Sequence, residues 1–207
     1  MADILFLLAI LLLSIVIHEV SHGLMASYLG DPTAKYAGRL SLNPLRHLDP
    51  VGSVLVPLFL VIMRSPFLFG WAKPVPINPY NFRDQKYGSA KVSLAGPGAN
   101  LLVALVFGLA IRFLSPAFEI PALLAIFSFI VFINILLALF NLLPIPPLDG
   151  SHILFTFLPP SADRIKIFLM QYGFLILVLF IFLGGLRILS PIIFGLFSLI
   201  TGQPPML

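Results

Sequence analysis

The sequence predicts an all-α polytopic membrane protein, on three observations. Of its 207 residues 59% are hydrophobic and only 10% charged, whereas soluble domains carry about 25% charged residues and could not hide so much apolar surface at this length. Mean hydropathy is +1.08. The apolar residues fall into runs of the roughly 20 residues that a bilayer-spanning helix requires. Five to six such segments fit the length, with no room for a separate soluble domain, so residues 1–207 are expected to form one domain in the membrane.

Segment one runs from about Ile4 to Leu29 and carries Ile17-His18-Glu19-Val20-Ser21-His22-Gly23 in its second half. Its first half is apolar but for Ser14. In a helix, His18 and His22 project from one face, close enough for both imidazoles to bind one metal ion. Two neutral histidines suit zinc, which at an open site lowers the pKa of water to about 7. A carboxylate directly after the first histidine, Glu19, can act as general base without being a ligand. Ionisable groups at the bilayer centre cost on the order of 3 kcal/mol on insertion scales, so three together need a metal or water.

Gly30-Asp31-Pro32 ends this helix, and a loop leads through Arg39, Asn43-Pro44, Arg46-His47 and Asp49-Pro50. The apolar stretch 51–71 is interrupted by Gly52, Pro57, Arg64, Pro66 and Gly70, which break helices or interrupt hydropathy. It reads as a poor span, re-entrant in character. The loop 72–91 holds Lys73, Arg83, Lys86 and Lys91 among prolines. Segment three, about 92–114, opens with Gly96-Pro97-Gly98-Ala99-Asn100, small residues that permit close approach of another element. Segment four is 121–143. A broken helix follows at 144–150, then a helical piece from Ser151 to Phe157, segment five at 165–183, and a short segment six at 186–200 expected to be broken by Pro191.

A third metal ligand is needed. There are no cysteines and only eight acidic residues. Asp149 is the best candidate, because it follows a span, lies in a break where backbone can line a cavity, and precedes Gly150, which permits a tight turn. It could instead cap the helix beginning near Ser151. Charge supplies a topological test. Basic loops at 30–50 and 72–91 both read as cytoplasmic, which requires 51–71 to enter and leave on one side and brings His18, His22 and Asp149 toward the cytoplasmic face. The net charge of +4 is scattered, a pattern of membrane orientation and not of nucleic-acid binding. The N-terminus lacks a basic n-region and is not expected to be a cleaved signal peptide.

His18-Glu19-Val20-Ser21-His22, Gly96-Pro97-Gly98-Ala99-Asn100 and Asn141-Leu142-Leu143-Pro144-Ile145-Pro146-Pro147-Leu148-Asp149-Gly150 together resemble the three signature motifs of the site-2 protease family of intramembrane zinc metalloproteases, in the family's order. The resemblance implies a catalytic core over about 4–160 followed by membrane helices at 164–200. It implies one Zn2+ per chain held by His18, His22 and Asp149, Glu19 as the catalytic base, and a cleft lined by Asn100 and Asn141. Asn141 could donate to a developing oxyanion or simply cap segment four. His152, one turn after Asp149, reads as a second-shell partner of the site or as an interfacial histidine. His47 reads as a structural or gating loop residue in preference to a ligand. The chain looks like a membrane-only member, cleaving transmembrane segments of protein substrates in a prokaryotic inner membrane. The rival readings are an ion or metal transporter and a non-catalytic zinc-binding scaffold.

Overall fold

The computed structural model describes residues 2–63, 73–114 and 121–204, and these contain helices and turns but no strand. The long helices are α1 (Ala2–Tyr28), α4 (Gly88–Leu114), α5 (Pro121–Asn141) and α7 (Asp163–Phe182), with α8 (Gly185–Thr201) after them. Among the described residues, four helical stretches are long and apolar enough to cross a membrane: Phe6–Tyr28, Gly88–Phe113, Pro121–Asn141 and Pro160–Phe182. The chain is an integral membrane protein.

Helix α4 is the centre of the packing, touching α1, α5 and α8 and also the short α6 (Asp149–Phe157). Ala104 and Ile111 of α4, Val131 and Ile135 of α5, and Leu189, Ile193 and Phe197 of α8 form one buried core. A smaller cluster, Ala26, Leu29, Phe82 and Val92, joins the end of α1 to the start of α4. Helix α1 stops where Gly30 takes φ +105, a left-handed conformation that suits glycine. The short α2 (Thr33–Tyr36) follows.

The stretch expected to re-enter begins with a π-helical turn, Pro50–Leu55, and continues as α3 (Val56–Ile62). Seven residues of α-helix rise about 10 Å, a third of a bilayer core. The far part of this stretch, 64–72, lies outside the described residues. Its two ends meet: the Lys73 N–H donates to His47 O at 2.9 Å.

The broken helix at 144–150 is a tight turn between α5 and α6, with Ile145 N–H on Leu143 O and Leu148 N–H on Ile145 O. Segment six differs from its expected break. It is one continuous helix, α8, with Pro191 inside it. Proline removes the N–H that would bond the carbonyl four residues earlier, and the Ser190 hydroxyl takes that place, donating to Arg187 O at 2.8 Å.

Candidate metal centre and active site

The helical spacing of α1 turns His18 and His22 to the same side, toward α4, and both are buried at 7% exposure. Room for the two rings is made by Gly96. A Cβ there would lie 2.5 Å from His22 Nε2 and 2.7 Å from His18 Cε1. Each ring is held by its Nδ1: His18 Nδ1 lies 2.7 Å from Asn100 Oδ1, and His22 Nδ1 lies 2.7 Å from the Val92 carbonyl oxygen. Both partners are acceptors, so each Nδ1 carries a proton, and in the neutral ring each Nε2 is left with its lone pair.

Those two Nε2 atoms are 3.0 Å apart. Asp149 Oδ2 stands 3.1 Å from His18 Nε2 and 3.3 Å from His22 Nε2, although it has no hydrogen-bond donor. With the rings neutral, three lone-pair atoms converge in this buried site. Their repulsion is relieved by a cation. A tetrahedral zinc with bonds of about 2.0–2.1 Å sets its ligand atoms about 3.3 Å apart, close to the distances observed. The donor set, two imidazoles and one carboxylate, suits zinc, and His18, His22 and Asp149 are the only group of three such residues positioned to hold a metal ion among the described residues. Helix α6 brings Asp149 here because the turn after α5 packs closely, with Gly150 against the backbone of Leu142 and Leu143.

Glu19 is half-buried at the edge of this triangle, and its Oε2 accepts a hydrogen bond of 2.9 Å from the Val75 N–H. Val75 belongs to a strap without helix or strand, residues 73–78, fastened on both sides. The Arg39 guanidinium donates to the carbonyls of Lys73 and Pro74 at 2.6 and 3.3 Å, and Asp31 accepts from the Asn78 N–H at 2.7 Å. Asp31 is fully buried and also accepts from Thr33 and Asn81. A cavity of about 360 Å³ opens between strap and helices, lined by His18, Glu19, His22, Val75, Asn141 and Asp149 among others.

Of the other residues singled out in the sequence, Asn141 lines the cavity with its Nδ2 donating to Leu137 O at 2.9 Å, and its second amide hydrogen has no acceptor among the described residues. His152 is exposed at the cavity wall. Asn100 is fully buried behind His18 and is absent from the cavity lining. His47 is fully buried, away from the triangle, and its Nε2 donates to Ser41 O at 2.7 Å. Sequence reasoning passed over the strap contact of Val75, which has no local signature. Asn134 and Ser14 were given no role from sequence, their one signal being a polar side chain in an otherwise apolar span.

A family model for Peptidase family M50 matches residues 115–180, which include Asn141 and Asp149. The chain is 38% identical to "Putative zinc metalloprotease YwhC" of Bacillus subtilis over 196 residues, covering 91% of this chain and 85% of that protein. It is 33% identical to "Putative zinc metalloprotease Rip2" of Mycolicibacterium smegmatis over 177 residues, covering 85% of this chain and 66% of the relative. "Putative zinc metalloprotease MJ0611" of Methanocaldococcus jannaschii is 41% identical over 66 residues, about a third of each chain. No solved structure matches the chain at a significant level.

Proposed function

We propose, from the premise that this chain belongs to peptidase family M50, the site-2 protease family, that it is a zinc-dependent endopeptidase cleaving transmembrane segments of other membrane proteins. The observation that carries this reading is the triangle of two imidazole nitrogens and one carboxylate oxygen at 3.0–3.3 Å. His18 and His22 lie ten and six residues before the end of α1, about 15 and 9 Å along the helix axis. Both histidines fall inside the apolar stretch Phe6–Tyr28, which supports cleavage at the level of a transmembrane substrate.

His18 Nε2, His22 Nε2 and Asp149 Oδ2 would hold the zinc. When bound, the ion supplies Lewis acidity, polarising a carbonyl and making water acidic near neutral pH. Glu19 manages the proton. The Val75 N–H holds one carboxylate oxygen, and the other takes a proton from the attacking water and delivers it to the leaving amine. Asn141 lines the same cavity, and its second amide hydrogen would serve as donor to the developing oxyanion, a role worth about 3 kcal/mol in a dry site.

A substrate helix hides its amides in its own hydrogen bonds and must unwind before cleavage. The strap offers an edge for the unwound chain. Pro74 and Pro76 have no N–H, the Val75 N–H is on Glu19, and the Lys73 and Pro74 carbonyls are on Arg39. The carbonyls of Val75 and Pro76 and both backbone groups of Ile77 take part in no hydrogen bond of the described structure. An extended peptide pairing there satisfies its own freed groups. Lys73, Arg83, Lys86 and Lys91 gather at this end of the helices, which supports a cytoplasmic orientation of the site in a prokaryotic cell membrane.

The test is zinc content and peptide cleavage on the same purified detergent sample. One zinc per chain is expected in the parent and in Glu19→Gln. Cleavage is expected to fall at least 100-fold in Glu19→Gln, and zinc is expected to be lost from Asp149→Ala. Parental cleavage by Glu19→Gln overturns the mechanism, and full zinc retention by Asp149→Ala overturns the ligand set.

A further inference from the structure

We infer that Asn134 of α5 is a positioning residue for the metal centre: with the Ser14 carbonyl it fixes which way the Asn100 amide faces, and so which nitrogen of His18 is free to ligate. The inference rests on the reading of His18 as a ligand. Asn134 and Asn100 are both fully buried, and Ser14 is 3% exposed. They come from α5, α4 and α1, and lie within the membrane-spanning stretches.

The hydrogen bonds run in one direction. Asn134 Nδ2 donates to the Ile130 carbonyl one turn earlier, at 2.9 Å, and to Ser14 Oγ, also at 2.9 Å. A backbone carbonyl can only accept, so the Asn134 amide is locked with Oδ1 turned toward α4. Asn100 Nδ2 meets that Oδ1 at 2.8 Å and the Ser14 carbonyl at 3.2 Å. Two acceptors on that side leave Asn100 Oδ1 facing His18 Nδ1 at 2.7 Å. Nδ1 therefore carries the proton and Nε2 the lone pair.

Reversing the Asn100 amide would set its oxygen against two acceptors and its NH2 against His18 Nδ1. The ring would then carry its proton on Nε2, where it cannot ligate. In this part of the bilayer no bulk water is at hand to compensate either conflict. Ordinary interhelical polar glue would hold α1, α4 and α5 together in either amide orientation. What distinguishes this network is that it starts at a carbonyl of fixed polarity and ends on a candidate ligand.

The experiment compares zinc affinity, by chelator competition on full-length protein in detergent, for the parent, Asn134→Leu and Asn134→Asp. The leucine is close in size but has no oxygen to offer Asn100, whereas the carboxyl keeps one. Outer-shell partners of metal ligands are typically worth 10–100-fold in affinity. Asn134→Leu is expected to weaken zinc about tenfold, and Asn134→Asp to stay within about threefold of the parent. Affinity of Asn134→Leu within about twofold of the parent overturns the inference, as does equal weakening by both variants, which marks a packing role.

A second measurement needs no variant. Nitrogen-15 NMR of the zinc-free parent, at a pH where the histidines are neutral, is expected to show His18 as the Nδ1–H tautomer. An Nε2–H tautomer overturns the relay. A parent that binds no zinc overturns the proposed function instead, so the two failures are separable.

Discussion

Within its most apolar window, the span Phe6–Tyr28 has 39% of its residues buried inside the protein, against 11% for Pro160–Phe182. The first carries the candidate site, and its buried positions include Ser14, His18 and His22. The second presents Ile167, Phe168, Met170, Phe174 and Leu175 outward. It touches the turn beside Asp149 at Gly173, where a Cβ would stand 2.7 Å from Pro146. In a bilayer, apolar side chains gain little by leaving lipid for protein. Location is therefore set by polar groups that need partners and by small residues that allow contact, and α1 is rich in the first while α4 supplies the second.

Gly96→Ala strikes this contrast hardest. The new methyl would collide with both histidine rings, and displacement of about 1 Å at a reacting centre is worth about 100-fold in rate. Cleavage is expected to fall by about that factor and zinc affinity to weaken with it. Gly98→Ala, two residues along the same helix, has open space around its Cβ and is expected to leave both unchanged. Equal behaviour of the two variants in the zinc competition assay breaks the comparison.

Asp31→Asn probes the strap with a smaller effect. Burial pushes the Asp31 carboxyl upward, but hydrogen bonds from Thr33, Asn78 and Asn81 outweigh it and hold the group below its ordinary value. A carboxylate lowered on folding stabilises the protein above its unfolded pKa of about 4, and that contribution is lost as pH falls through the lower folded value. The protection of the Asn78 amide, its exchange rate relative to the unfolded-chain rate at the same pH, is expected to hold from pH 7 to pH 5 and to fall only below about pH 4. In Asp31→Asn, an NH2 turned toward that amide opposes two donors, a loss of about 1–3 kcal/mol, readable as faster exchange already at pH 7. Phe174→Leu on the lipid-facing side of α7 is the smallest change, expected to alter stability by no more than about 0.5 kcal/mol in a thermal melt. A larger shift would show that α7 is held by more than Gly173 and α8.

Hydropathy made the membrane class and the spans legible, because a long apolar run has few other uses. The histidines and Asp149 were legible because each is chemically costly at its position. The register of the strap was not, since Val75 meets Glu19 only after two long helices are placed. Asn134 was visible as one amide in an apolar span, but its partners lie on two other helices. Pro191 misled because proline usually interrupts a helix, and the compensating hydroxyl of Ser190 is a matter of rotamer.

The meeting of Lys73 with His47 makes residues 48–72 a detour that leaves the chain and returns to the same point. Lengthening such a detour changes mainly the entropy of closing it, by about 0.6 kcal/mol for each doubling. The stretch is thus the place where the chain can accept a graft, a reporter or a substrate-selecting insert while the helices keep their register.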